Sequence, residues 1–412
     1  MDLILRNARL SGRPMTEPLL DVGIDKGRIA AVQPHLAADG MEIDLAGRLV
    51  APGFVETHIH LDKSDILDRC ASEQGTLEEA IALAAAAKKQ FTAEDVHTRA
   101  AGTLEKAISH GTTHMRTHLE VDPSVGLRSL DGVLPLVEEY RWAIDLEICV
   151  FPQEGLLNNP GTDELMVAAL RRGCRAVGAA PYTDTDPHGQ IDRVFAMARE
   201  FDVDIDMHLD FGHSAEYTDI DYVCAQTERF RYGGRVTVGH VTKLSVIDPP
   251  ALHRVATRLA DAGVAVTVLP STDLFLMGRH QSHSVLRGVT PVHRMLDAGV
   301  NCSLSSNIVL NPFTPLGDCS LLRMANLYAN ICQVGDPAGL AECFRMVTDR
   351  PARLLRAGDH GLAVGSSADL TVLDAPTPED AVRRLAPVLR GFKRGRPTFT
   401  RRPVELHRPL AG

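Results

Sequence analysis

Between residues 54 and 304 the chain alternates between short apolar segments of strand character and longer segments with helical spacing. The strand candidates are Phe54–His60, Thr113–His118, Leu146–Phe151, Ala176–Ala180, Asp204–His208, Val236–His240, Val264–Leu269 and Asn301–Leu304. Helical patterns fill most of the gaps, at Leu77–Lys89, Ala93–Ser109, Leu165–Arg172, Ile191–Phe201, Pro250–Ala262 and Val292–Ala298. Gly111, Gly173, Gly263 and Gly299 follow such helices, where a left-handed cap is wanted. Eight β units with intervening helices specify an α/β fold of the (β/α)8 barrel type. An open doubly wound sheet would need a ligand loop such as GxGxxG at its switch point, and none occurs.

The ends of the chain read differently. Leu20–Ile24 alternates as a half-buried strand does, Asp25–Arg28 is a hairpin turn, and Ile29–Val32 is the returning strand. In the tail, Gly365–Asp374 is a strand candidate and Gly391–Pro397 a turn. These segments suggest a small β-sandwich domain assembled from both termini, residues 1–50 and 356–412, around a barrel spanning 51–355. The alternative is two unrelated decorations.

The net charge of −10 argues against a nucleic-acid or anionic-membrane surface. No apolar run reaches the roughly 18 residues of a membrane span, and the N-terminus lacks a basic region followed by an apolar core. The eight cysteines show no CxxC and no regular spacing, which reads as reduced, mostly buried thiols in a cytoplasmic protein.

Chemistry concentrates at the first barrel strand, Val50–Ser64, where His58 and His60 stand one residue apart. Residues i and i+2 of a strand face the same way, so both imidazoles aim together from the strand end. His208 and His240 end two other strands, and His118 and Gln153 fall at or just past the ends of theirs. That is the face where barrel enzymes carry their active sites. Taken singly, each histidine is as readily a satisfied core residue; together they form a candidate metal site. Imidazole suits borderline divalent ions, zinc or iron.

The run P-G-F-V-E-T-H-I-H-L-D at Pro52–Asp62 is followed in order by Arg116-Thr117-His118, Phe151-Pro152-Gln153-Glu154-Gly155, Asp206-Met207-His208, Gly239-His240 and Pro315-Leu316-Gly317. The set resembles the amidohydrolase superfamily, particularly its cytosine deaminase and N-isopropylammelide hydrolase branches. The resemblance implies hydrolytic removal of an amine from a small cyclic nitrogen compound similar to cytosine, creatinine or an aminotriazine. It implies one divalent ion on His58, His60 and His208, with His240 a candidate fourth ligand. Strand four ends Gly178-Ala179-Ala180, without the lysine that bridges two metals in other members. Gln153 matches the amide that reads an N–C=O edge of the ring; its plainer reading is a loop side chain bonded to backbone. The expected assembly is a homo-oligomer.

Two positions depart from the cytosine deaminase pattern. The proton-carrying glutamate three residues after the strand-five histidine is replaced by Phe211. The metal-binding aspartate after strand eight falls on Ser306 when matched forward from the strand, and on Asn307 when counted back from Pro315-Leu316-Gly317. Neither is a base at neutral pH. The substitutes for acid–base work are Asp210, Lys63 and His240. Asp210 shares the face of His208 if the segment continues extended, and otherwise caps the following segment. Lys63 is a proton carrier beside the metal, or a salt-bridge partner of Asp62 or Asp65. Gln153, Phe211, Ser306 and Asn307 form the expected substrate-facing set. Asp184, Asp186, His188, His213, Phe275, His280 and His283 lie in loops that face either pocket or solvent. The rival reading is a barrel that binds a heterocycle without deaminating it.

Overall fold

The computed structural model describes residues 1–402 and 404–407. Five strands open the chain: β1 (Leu3–Leu10), β2 (Leu20–Asp25), β3 (Arg28–Gln33), β4 (Met41–Asp44) and β5 (Leu49–Pro52). Eight more follow: β6 (Phe54–Ile59), β7 (Thr112–Glu120), β8 (Asp145–Phe151), β9 (Ala176–Val177), β10 (Asp204–Leu209), β11 (Val236–His240), β12 (Val264–Val268) and β13 (Cys302–Leu304). The chain closes with β14 (Leu370–Leu373), β15 (Val388–Lys393) and β16 (Arg396–Thr400).

Strands β6 to β13 pair in sequence order as a parallel sheet. Every residue of β6 and β7 is buried, as expected for parallel strands covered on both faces. The sheet closes just beyond β13. Asn307 bridges to Ile59, its N–H donates to His58 O at 2.9 Å, and His60 N–H donates to Asn307 O at 2.7 Å. The barrel is therefore a (β/α)8 barrel whose seam passes through the paired histidines.

Strands from both ends of the chain share the second sheet, in the order β16-β15-β14-β5-β1-β2-β3, with β4 added on β1. A bulge between Leu5 and Ala8, with Asn7 at φ +55°, bends β1 where its parallel partner changes from β4 to β5. The two halves fold over one apolar cluster that includes Leu3, Leu5, Val22, Ile24, Val50, Leu370 and Phe392. Among the described residues, no helix is long and apolar enough to cross a membrane.

Three expectations need correction. Residues 292–298 form two 3-10 turns, Val292–Arg294 and Leu296–Ala298, closed by i→i+3 bonds from Met295 N–H to Val292 O and from Gly299 N–H to Leu296 O, each 2.9 Å. Gly391 is inside β15, and the reversal is the two-residue turn Arg394-Gly395, with φ +48° and +73° as a tight hairpin requires. Strand four is regular only over Ala176–Val177; beyond it Ala179 O still accepts from His208 N–H at 2.9 Å, and at Gly178 the chains lie so close that a Cβ would be 2.5 Å from Asp206 O.

Lys393 locks the small sheet to the bottom of the barrel. Its buried Nζ donates to Thr113 O at 3.0 Å, Asp145 Oδ2 at 2.7 Å and Asp369 Oδ2 at 2.8 Å. His114, Asp145 and Asp369 have the spacing of a cation site, and this ammonium is the cation among them. Lys393→Met leaves the buried Asp369 carboxylate without its counter-charge, while the partly exposed Asp145 keeps Arg394 at 2.7 Å. The substitution is expected to lower unfolding free energy by about 3–5 kcal/mol, read as a reduced denaturant midpoint.

Candidate active site

The three histidines of the first and fifth barrel strands meet nitrogen to nitrogen. His58 Nε2 is 3.0 Å and His60 Nε2 3.1 Å from His208 Nε2, and all three side chains are buried. His60 Nδ1 lies 3.1 Å from His118 O, so the proton belongs on Nδ1 and Nε2 presents a lone pair. One His208 N–H could satisfy only one of its two neighbours. The other contact is then without a hydrogen bond, whereas a cation between the rings would use the lone pairs of all three Nε2 atoms. Burial holds all three imidazoles well below the usual histidine range, reinforced by neighbouring charge positions, His118 for His58, Lys63 for His60 and His58 for His208. Neutral, convergent and desolvated, the set fits a divalent metal ion.

A buried layer beneath it fixes these rings. His118 stacks on His58 with centroids 3.7 Å apart, and its Nε2 lies 3.3 Å from Asp206 Oδ1. Asp206 Oδ2 accepts from Arg116 Nη1 at 2.9 Å, and Arg116 also pairs with Glu147 at 2.5 Å. Asp206 Oδ1 lies 3.9 Å from His58 Nδ1, the nitrogen turned away from the centre. Gly239 lets this ring in, since a Cβ there would stand 3.2 Å from His58 Nδ1. Glu56, two residues before His58 on the same face, accepts from His58 N–H at 3.2 Å and Ser306 N–H at 3.1 Å. Burial pushes its carboxyl up to about 7 against those bonds. Asp206 and Glu56 carry a sequence signal as acidic residues at i−2 from a strand-end histidine; Asp273, described next, carries none.

His240 stands beside the trio, its ring centroid 5.5 Å from that of His208 and 5.7 Å from that of His58. Its Nδ1 is 2.6 Å from Asp273 Oδ1, on the short helix Pro270–Leu276 after β12. The pair assigns the proton to Nδ1 and leaves Nε2 as the free nitrogen. His240 and Val241 both have positive φ, +67° and +45°, a left-handed pair that a β-branched residue adopts only under constraint. The strain turns the strand end so that His240 reaches Asp273.

A cavity opens over these groups. His60, His208, His240, Lys63, Gln153 and Asn307 give it a polar side; Leu77, Phe211, Leu276, Ile308 and Phe313 give it an apolar one, with Tyr182 and Thr272 also on the wall. Lys63 pairs with neither Asp62 nor Asp65. Its Nζ is 3.3 Å from Glu120 Oε2 and lies over the rings of Phe151 and Phe313. Asn307, at φ +63°, faces the cavity and donates through Nδ2 to Thr272 Oγ1 at 2.9 Å. Ser306 is buried behind it, its N–H held by Glu56.

Asp210 does not share the face of His208. The backbone turns left-handed there, φ +49°, and the carboxylate accepts from Asp219 N–H at 3.0 Å with Lys243 Nζ 3.4 Å away. It closes the loop before the helix Ile220–Phe230 by holding the N–H of Asp219, without capping the helix, and burial pushes it up to about 6. Asp184 holds the N–H groups of Leu156 and Leu157, and Asp186 caps the helix Pro187–Phe201. His188 stacks on Tyr222, while His213, His280 and His283 are exposed. None of these, nor Phe275, lines the cavity.

Residues 41–134 and 140–399 match the model of the amidohydrolase family. The chain is 30% identical to N-isopropylammelide isopropyl amidohydrolase of Pseudomonas sp. (strain ADP), over 96% of each chain. It is 28% identical to pterin deaminase of Rhizobium rhizogenes, over 88% of this chain and 84% of that one. The fold superposes on 5-methylcytosine deaminase from Klebsiella pneumoniae, liganded with 5-fluorocytosine, with a TM-score of 0.93 and 31% identity, covering 98% of this chain and 99% of that one. The chain belongs to the amidohydrolase family and is a hydrolase acting on non-peptide C–N bonds.

Proposed function

We propose that the protein hydrolyses the exocyclic C–N bond of a small planar nitrogen heterocycle, releasing ammonia or a small amine, with one zinc or iron ion on His58, His60 and His208. The observation that carries this reading is the approach of His58 Nε2 and His60 Nε2 to His208 Nε2, at 3.0 and 3.1 Å, at the base of a half-polar, half-apolar cavity that His60 and His208 line. A divalent ion held there would supply Lewis acidity, lowering the pKa of a coordinated water to about 7. The protein's own groups do the rest. Gln153 offers a donor and an acceptor to an N–C=O edge of the ring. The apolar wall, from Leu77 to Phe313, takes the ring face or a substituent and excludes water. His240, with Nδ1 held by Asp273, accepts a proton at Nε2 and returns it to the leaving nitrogen. This pair takes over the work for which Ser306, Asn307 and Phe211 have no charge. Lys63 presents an ammonium to the same space. All eight cysteines are free thiols, which fits a reducing compartment, and we assign the protein to the cytosol.

The test is a panel of cytosine, 5-methylcytosine, pterin, creatinine and N-alkylaminotriazines incubated with zinc- or iron-loaded protein, with released ammonia or amine measured. Turnover of at least one ring supports the reading. Rings that bind by calorimetry while none loses its amine would replace it with the binding-barrel reading.

A further inference from the structure

The cavity wall that carries Lys63 is backed by buried charge. Glu120 has one oxygen, Oε2, 3.3 Å from Lys63 Nζ and the other, Oε1, 3.6 Å from Lys88 Nζ. Lys88 Nζ also donates to Asp122 Oδ2 at 2.5 Å and to Glu154. Lys63, Lys88, Glu120 and Asp122 are each no more than 3% exposed, and only Glu154 reaches solvent, its side chain 28% exposed. Burial alone would lower the Lys88 ammonium, but the surrounding carboxylates, Glu120 first, raise it above the usual range.

Lys88 is the last residue of the helix Leu77–Lys88, whose buried face is Ala80, Ala84 and Lys88, a stripe at i, i+4 and i+8. Leu77, at its other end, lines the cavity. Ala80 and Ala84 pack with Leu276, Ile308 and Phe313, three residues of the apolar cavity wall. The helix therefore roofs the cavity, held at one end by apolar contact and at the other by an ammonium sunk among carboxylates. Such an ion array adds little stability over apolar packing of equal volume, so what it supplies here is geometry.

We propose that Glu120 is a positioning residue that couples the seating of the roof helix to the placement of Lys63, one oxygen gripping the helix anchor and the other the cavity ammonium. With Lys88 seated, Glu120 holds Lys63 against Phe151 and Phe313, at 5.4 and 5.7 Å from the ring centroids. With the helix lifted, Glu120 loses one of its two cations and Lys63 is released with it. The catalytic meaning of this coupling rests on Lys63 facing substrate as in the proposed function; the coupling itself does not.

The test needs no substrate. Hydrogen exchange of residues 77–88 and acetylation of Lys63 by acetic anhydride, read by mass spectrometry, are compared among zinc-loaded wild type, Lys88→Met, Lys88→Arg and Lys63→Met. Lys88→Met is expected to speed exchange of the helix about tenfold and acetylation of Lys63 several-fold, with Lys88→Arg returning both toward wild type. Lys63→Met, which leaves Lys88 held by Asp122 and Glu154, is expected to speed helix exchange less than Lys88→Met does. Should Lys88→Met fail to fold, Glu154→Gln at the solvent end gives the milder version of both changes. A mobile helix with unchanged Lys63 acetylation overturns the coupling, and so does an unmoved helix. Absence of turnover in the separate heterocycle panel overturns the proposed function while leaving the coupling measured.

Discussion

Protein purified from zinc- or iron-supplemented medium is expected to carry about one divalent ion per chain, and His58→Ala with His60→Ala to carry none. Both residues leave the same strand end, and with His208 they supply the three nitrogens that converge. Two alanines leave a single imidazole, too few for a stable site. Elemental analysis after dialysis measures this directly. Asn307→Asp is the companion variant. Asn307 faces the cavity from the barrel seam, and its Oδ1 is a buried oxygen with no hydrogen-bond partner. A carboxylate there adds an anionic donor, so loss of metal to a chelator is expected to slow. A wild type that stays metal-free, or ion content unchanged in the double alanine variant, would refute the histidine site.

The second large effect is expected at His240. Replacing it by asparagine removes the one imidazole on the cavity wall whose far nitrogen is fixed by a carboxylate, Asp273, at 2.6 Å. Loss of a positioned acid–base group costs about 10²–10⁴-fold in turnover, and His240→Asn is expected to fall in that range with metal content retained. Asp273→Asn leaves the ring in place but removes the anion that fixes its tautomer, so kcat is expected to fall more than KM changes. Asp210→Asn is the control: its carboxylate is committed to Asp219 N–H, so turnover is expected to stay near wild type. A His240→Asn enzyme of full activity would remove the dyad from the mechanism, and an impaired Asp210→Asn would bring that loop back into it.

The barrel is readable from the chain because its period and its polar residues agree. Strand-like runs recur between helical ones, and imidazoles and amides gather at one end of those strands. His58 and His60 are readable as a pair because strand spacing alone sets their common direction. The direction of Asp210 is not, since aspartate is among the residues that turn left-handed readily and nothing local decides whether it does. Ser306 and Asn307 are ambiguous for the same reason, because a kink at Asn307 chooses which side chain reaches the cavity. The partnership of Asp273 with His240 spans 33 residues and depends on strain at His240-Val241, which no sequence period encodes. Glu120 is similar: it looks like the end of a buried strand until the helix carrying Lys88 is laid across it.

The interleaving of the two termini in one sheet bears on how the chain is made. Strand β5 is flanked by β1, already present, and by β14, which begins at Leu370. During synthesis from the N-terminus, β5 keeps an unpaired edge until nearly the whole barrel has emerged. Because β5 runs straight into β6 through Gly53, the strand bearing His58 and His60 hangs from an element that is not yet held on both sides. His58 and His60 are thus translated long before the strand that braces them, and a chain that stops short of Leu373 leaves that open edge available to neighbouring chains.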